Sequence, residues 1–249
     1  MKMVKTFSLV WICVFFLVGC NPKSYTAYEG ANTGLDSTYN GAELEGMIAP
    51  YRLAVDSIMN KRIGFAPESL IKYAPESSLS NFAVDVVFSE GKSLAQKNPD
   101  YKTLNLKNTI GLINFGGLRA PINQGDITIG NVYELMPFDN TVVIAKLDKE
   151  GVSTMLRYLK QEGGQPIANC KIDYRKDSAN FFINRELYVG QELFVITSNY
   201  LASGGDGMTF LQEAKTKWDS GVLIREVFID HISSVDTLLA PNLNGRIQF

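Results

Sequence analysis

The sequence predicts an α+β fold, a mixed β-sheet covered by helices, and two observations carry that expectation. Segments with helical spacing of apolar residues alternate with short apolar runs bounded by turn residues, the pattern of strands and hairpins interleaved with covering helices. The composition is that of an ordinary globular protein: 249 residues, 45% apolar and 20% charged, with 21 glycines and 9 prolines. Wholesale disorder and collagen-like repetition are excluded, and no internal repeat is present.

From Ala42 the apolar positions Leu44, Ile48, Tyr51, Val55 and Ile58 predict an amphipathic helix of about 17 residues. A second helix is expected from Leu79 to Gln96, with Leu79, Phe82, Val86 and Leu94 on its core-facing stripe and Ser77 or Ser78 as N-cap. Thr109–Ile113 and Thr141–Leu147 read as buried strands, separated by a glycine turn, a short helix near Asn131 to Leu135 and a Met136-Pro137-Phe138 corner. Lys149–Lys160 follows as a helix with Val152, Met155, Leu156 and Leu159 inward. Strands are expected at Lys171–Tyr174, Phe181–Leu187 and Leu193–Ser198, and a final helix at Val222–Leu238.

The chain opens on Lys2 and Lys5 and an uncharged apolar run, Phe7 to Val18, that ends in Leu17-Val18-Gly19-Cys20. At about a dozen residues the run is short of the roughly 20 that a spanning helix needs, so residues 1–19 read as an export signal with a lipobox-like end. This ending resembles that of bacterial lipoproteins. The resemblance implies a diacyl or triacyl anchor on Cys20 and a place in the bacterial cell envelope, on the periplasmic or surface side. Residues 20–41 are then the lipidated cysteine and a flexible tether rich in Ser, Thr, Asn, Gly and Tyr, which holds the domain of residues 42–249 on the order of 25 Å from the bilayer.

Loss of Lys2 and Lys5 with the signal takes the formal charge from −2 to −4, which argues against binding a nucleic-acid backbone. Cys13 leaves with the signal and Cys20 takes lipid, so Cys170 has no partner for an intramolecular disulfide; it reads as a small buried hydrophobe. His231 is the one histidine, which excludes a histidine-rich metal centre within this sequence. It reads as a surface residue of the last helix.

Three stretches stand apart from plain scaffold. Asn114-Phe-Gly-Gly-Leu-Arg119 follows a strand, and its paired glycines let the backbone approach a ligand while Arg119 sits at the mouth of the turn. Leu135-Met-Pro-Phe-Asp-Asn140 has Pro137 setting a corner with Phe138 and Asn140 at its exit. Ser198-Asn-Tyr-Leu-Ala-Ser-Gly-Gly-Asp-Gly207 places Tyr200 six residues before Asp206, which stands between glycines. Alone, each also fits a structural role: a strand-ending turn, a core phenylalanine, a turn aspartate. Together they hold what a nucleoside pocket requires, two aromatics to sandwich a base and a carboxylate to accept a pair of ribose hydroxyls.

In order and spacing these stretches resemble the C-terminal, substrate-recognition domain of the 5′-nucleotidase family, with its N-x-G-G-x-R, P-F-x-N and N-[FY]-x-x-x-G-G-D-G patterns. The resemblance spans roughly residues 42–249. It implies that Phe138 and Tyr200 form the base sandwich and that Asn140 contacts the base edge. Asp206 would accept from the ribose, and Asn114, Gly117 and Arg119 would line the floor near ribose and phosphate. Where the family carries a further arginine before the second helix, this sequence has Lys72 and Tyr73, and Lys72 reads as a point charge toward the phosphate. Phe115, at a position usually small, is expected to narrow the pocket.

In full-length members a metallophosphoesterase domain precedes this one and supplies two metals through His and Asp ligands. With one histidine, this chain is expected to hold no cofactor and no catalytic residue of its own. It reads as the nucleoside- or nucleotide-recognition half of a split nucleotidase, with the dimetal centre on a partner metallophosphoesterase chain. The alternative is a non-catalytic nucleoside-binding envelope lipoprotein.

Overall fold

A computed structural model describes residues 41–101, 104–175, 179–190 and 192–249. The expected export signal, Cys20 and tether residues 21–40 lie outside them. In chain order the main elements are α1 (Ala42–Met59), β1 (Arg62–Ala66), α2 (Ser78–Lys97), β2 (Thr109–Leu112), β3 (Gly125–Thr128) and α3 (Ile129–Leu135). There follow β4 (Thr141–Leu147), α4 (Lys149–Gln161), β5 (Ile167–Ala168), β6 (Cys170–Asp173), β7 (Asn180–Ile183), β8 (Glu186–Leu187) and β9 (Leu193–Ser198). Last come α5 (Asn199–Ala202), α6 (Thr209–Gln212), β10 (Thr216–Leu223), α7 (Ile224–Val235) and β11 (Ile247–Gln248). The chain divides into two units at Met47/Ile48, inside α1, and the fold described next is that of Ile48–Phe249.

A five-stranded sheet in the order β10-β4-β9-β2-β5 is the frame. β2 and β9 run parallel, and β4 is antiparallel to β9 over six residue pairs. All six residues of β9 are buried, because the sheet is covered on both faces. Phe194 and Ile196 join one core with Phe82, Val87 and Phe228 of α2 and α7, while Leu193 and Val195 join a second core with Met155 and Leu159 of α4 and Phe210 of α6. A four-stranded sheet, β11-β6-β7-β8, also packs on the second core through Ile172, Phe181, Ile183 and Ile247.

The strongest helix expectation holds. Ser77 caps α2, accepting from Ser80 N while the Ser80 hydroxyl accepts from Ser77 N, a reciprocal capping box. The helix lies close on the sheet because Gly91 faces Ile196 with no room for a β-carbon, and a β-carbon at Gly111 would meet Phe88 and Ala168 at 3.0–3.1 Å.

Several expectations are corrected. Phe181–Leu187 is not one strand but the hairpin β7–β8, turned at Asn184 (φ 48°) and Arg185 (φ 66°). The last helix begins at Ile224; Val222 belongs to β10, an edge strand whose half-exposed residues lack a long apolar run. His231 is half-buried, its ring 5.9 Å from that of Phe82, because α7 packs on α2 there. Burial lowers its pKa from the ordinary histidine value. Cys170 is half-buried against the second core, and burial pushes its thiol up. The α1 stripe is not packed: Ile48, Tyr51, Val55 and Ile58 are 40–76% exposed. Helical spacing sets which side of a helix is apolar, and says nothing of whether another surface covers it.

Glu76, 9% exposed, ties the C-terminal segment to the start of α2. It accepts from Asn81 Nδ2 (2.8 Å) and from the backbone N–H groups of Asn244 (3.1 Å) and Arg246 (2.9 Å). Burial alone would raise its pKa, but these donors and the Arg246 guanidinium outweigh it and hold the carboxyl below the usual glutamate range. A depressed carboxyl stabilises the fold above its unfolded pKa, about 4.3, and that contribution disappears as pH falls through the folded value. Urea unfolding as a function of pH should therefore show stability declining below about pH 4.3. Glu76→Gln should be less stable at neutral pH, with a shallower acid decline.

Candidate functional site

The site forms where β2, β4 and β9 meet their loops. Because β2 and β9 are parallel neighbours, the loops that leave their C-terminal ends emerge side by side; these carry Asn114 and Asp206. β4 is antiparallel to β9, so its start lies at the same edge and brings Phe138 and Asn140.

Asn114, 7% exposed, donates from Nδ2 to Asp206 Oδ2 at 2.5 Å. Gly117 is obligatory at this turn, since a β-carbon there would stand 2.9 Å from Asn114 Oδ1, and one at Gly116 would stand 3.3 Å from Asp206 Oδ2. Four further hydrogen bonds hold the turn. Phe115 N donates to Gln165 Oε1 (2.9 Å), Arg119 N donates to Leu135 O (2.8 Å), and Lys72 Nζ donates to the carbonyls of Phe115 (3.2 Å) and Leu118 (2.6 Å). Lys72 is thus engaged with backbone oxygens, which corrects the expectation of a charge directed at phosphate. Phe115 is not among the residues lining the cleft, so it does not narrow it.

Asp206 is held from every side. Its backbone is left-handed (φ 52°), which aspartate tolerates better than most residues. Its carbonyl accepts from the Tyr158 hydroxyl (2.8 Å), and its Oδ1 accepts from the Tyr200 hydroxyl (2.8 Å). The Tyr200 ring lies against Gly205, where a β-carbon would fall 2.5 Å from ring atoms. That contact is why glycine is needed beside Asp206. The hydrogen bond to the Asp206 carboxylate raises the Tyr200 pKa above the ordinary tyrosine value, because ionising the phenol would set two anions face to face.

The Phe138 corner is fastened from the rear by Arg225, a residue that sequence reasoning missed. Arg225 is 7% exposed, stacks over Tyr133 at 4.2 Å, donates to the carbonyls of Met136 (3.5 Å) and Phe138 (3.4 Å), and pairs with Asp139 at 2.7 Å. Its signal was a lone cation on the apolar face of the last helix, beside Ile224, Val227 and Phe228. Gln165 carried no local signal.

Asn114, Gly117, Arg119, Phe138, Asn140, Tyr200 and Asp206, the seven residues singled out from sequence, line one cleft of about 260 Å3, joined by Gly116. Phe138 and Tyr200 are 42% and 46% exposed, so their ring faces are available. Cys170 and His231 lie outside the cleft. Among the described residues no three His, Cys, Asp or Glu side chains come together to hold a metal ion.

A mixed sheet with helices on both faces, and a candidate ligand cleft lined by two aromatics, a carboxylate and an arginine at the strand exits, define an α+β domain. Residues 60–179 match the family model described as 5′-nucleotidase, C-terminal domain. The chain is 26% identical over 236 residues to the trifunctional nucleotide phosphoesterase protein YfkN of Bacillus subtilis, covering 86% of this chain and 15% of that protein. It is 25% identical over 198 residues to the 5′-nucleotidase of Bos taurus, covering 70% and 33%. Among solved structures it is similar to the 5′-nucleotidase precursor of Thermus thermophilus, with a TM-score of 0.66 and 26% identity, over 83% of this chain and 43% of that one. The NAD nucleotidase of Haemophilus influenzae shares the fold at a TM-score of 0.59 and 16% identity, over 83% and 41%. The match to the 5′-nucleotidase C-terminal domain thus covers residues 60–179, and the chain spans less than half the length of each of these relatives.

Two measurements check this geometry. Arg225→Met should lower the unfolding free energy by about 2–3 kcal/mol, because the Phe138 and Met136 carbonyls and Asp139 lose a charged donor. Arg225→Lys should not restore it, since an ammonium lacks the planar fork. In a spectrophotometric titration, Tyr200 should ionise above the usual tyrosine range in the parent protein. Asp206→Asn should bring it back toward the ordinary value.

Proposed function

We propose that this domain recognises the nucleoside part of a nucleotide and works with a separate metallophosphoesterase chain in nucleotide hydrolysis and salvage, held at the bacterial cell envelope by lipid on Cys20. The observation that carries the reading is the single cleft formed by Phe138, Tyr200, Asp206, Asn114, Asn140 and Arg119. Two exposed aromatic faces offer stacking worth roughly 1–3 kcal/mol per aromatic. Asp206, with its oxygens aligned by Asn114 and Tyr200, offers acceptors for a vicinal diol. The cleft is smaller than the ~300 Å3 at the low end of ligand pockets, consistent with half of a site whose opposite wall belongs to the phosphoesterase. The names of the relatives, nucleotidases and a nucleotide phosphoesterase, support the substrate class.

Among the described residues no side-chain cluster fits a two-metal centre. The chain's one histidine is packed on Phe82 in the α2–α7 interface and faces no carboxylate cluster, so no step through metal is assigned to these side chains. Their work is to bind and orient. Stacking fixes the plane of the base, Asp206 fixes the ribose about that plane, and Arg119 at the rim leaves the 5′ end directed outward. With Lys72 engaged by carbonyls, Arg119 is the cation left for the phosphate edge. Rate enhancement from such a half is positioning, felt chiefly as tighter use of substrate. Two chains anchored in one membrane would also meet at raised effective concentration.

Calorimetric titration of the protein with adenosine, AMP and adenine tests recognition. Phe138→Ala and Tyr200→Ala should each weaken nucleoside binding by roughly 1–3 kcal/mol. Asp206→Asn should weaken ribosides and leave the free base nearly unchanged. Mixing with a metallophosphoesterase chain and following AMP hydrolysis at low substrate tests the partnership: KM should fall more than kcat rises, and Tyr200→Ala should abolish the gain. Nucleoside binding with purely additive hydrolysis would leave recognition standing and favour the non-catalytic nucleoside-binding lipoprotein.

A further inference from the structure

The outer face of the β6–β7–β8 hairpins holds a second cavity, of about 680 Å3. Pairing of Ile172 with Phe181 puts those two residues into the core, so the alternate pair, Lys171 and Phe182, faces outward and forms the cavity floor. Arg185 from the β7–β8 turn and Arg175 and Arg246 from neighbouring segments add three guanidinium groups.

These cations are not equivalent. Arg175 is paired with Asp173 at 2.6 Å, and Arg246 with Asp85 at 2.7 Å, so both are neutralised locally. Lys171 and Arg185 have no ion pair or hydrogen bond among the described residues. The chain as a whole is acidic, yet here two cations without an ion pair among the described residues stand on one cavity, Asp173, already bridged to Arg175, being the carboxylate near Lys171. The side-chain amides of Asn184 and Asn244 line the same space and make no hydrogen bond within the described residues, leaving N–H donors available. Arg185 also stands at φ 66°, the turn position where glycine is least strained, so its presence there is not explained by the turn.

We propose that this cavity binds a phosphate dianion, with Lys171 and Arg185 supplying charge and the Asn184 and Asn244 amides supplying further donors to its oxygens. Two cations and two amides match one compact multi-oxygen anion. They are too few for a nucleic-acid backbone, whose binding scales with the number of phosphates neutralised. The site is separate from the nucleoside cleft. Asn169, on this cavity's wall, donates to the Thr109 carbonyl at the start of β2, whereas Asn114 follows the end of that strand. The two sites share no lining residue. The proposal does not depend on the function assigned to the cleft.

The test is calorimetric titration of the full chain with inorganic phosphate and with glycerol 3-phosphate, alongside co-flotation with vesicles containing phosphatidic acid. Saturable binding that Lys171→Ala and Arg185→Gly each weaken about tenfold, the cost of one charged hydrogen-bond donor, carries the proposal. Binding in the soluble arms identifies a free phosphate, and binding confined to vesicles, with the same losses, identifies a lipid headgroup. Arg185→Gly suits its turn conformation, so thermal stability held or raised in that variant separates lost binding from lost folding. Adenosine affinity at the Tyr200 cleft should be unchanged in both variants. Absence of saturable binding in all three arms, or binding that neither substitution alters, overturns the proposal whatever the cleft itself binds.

Discussion

The hydrogen bond from Asn114 Nδ2 to Asp206 Oδ2 joins two loops 92 residues apart in sequence, and the cleft depends on it. It can form because β2 and β9 are parallel neighbours whose C-terminal ends open at one edge of the sheet. Ligand sites of sheet-based folds gather at such edges, since backbone groups there are released from the ladder and side chains converge from more than one strand. Here the edge receives a third contribution from β4, whose antiparallel pairing returns the Phe138 corner to the same place.

Holding an exposed carboxylate and two exposed rings in one arrangement requires support from behind. Arg225 provides it for Phe138, and Lys72 and Gln165 provide it for the glycine turn, in each case by donating to backbone carbonyls or accepting from a backbone N–H. A guanidinium or ammonium used this way satisfies carbonyls that would otherwise be costly to leave unpaired. The Tyr200 hydroxyl serves a related purpose. By donating to Asp206 it keeps the carboxylate aimed while no ligand is bound, and it keeps its own ring folded over Gly205.

Charge is also divided in space. The cleft holds one carboxylate and one rim arginine, whereas the second cavity carries Lys171 and Arg185 without an ion pair among the described residues. Arg246 joins Asp85 on α2, and Glu76 receives the backbone of Asn244 and Arg246, so the segment that walls the second cavity is fastened to the helix that backs the main sheet.

Much of this protein was legible in the amino-acid sequence. The two buried strands at Thr109 and Thr141 and the capped helix at Ser77 follow from local chemistry, apolar runs and a serine cap, and the seven cleft residues from the resemblance of three ordered motifs to the 5′-nucleotidase family. Local pattern failed where the outcome rests on what lies opposite in space. β10 and the short strands β1, β3 and β8 exist through pairing rather than through apolar alternation of their own. Lys72 looked like a ligand charge and is a strut, because the carbonyls it bonds are brought to it from residues more than forty positions away. The α1 stripe looked like core and is bare, since periodicity orients a helix but supplies no surface to cover it. The sequence determined which groups are present and which way each segment faces. Only the tertiary structure decided which of those faces meet, because a contact is a property of two segments and no local pattern encodes the second.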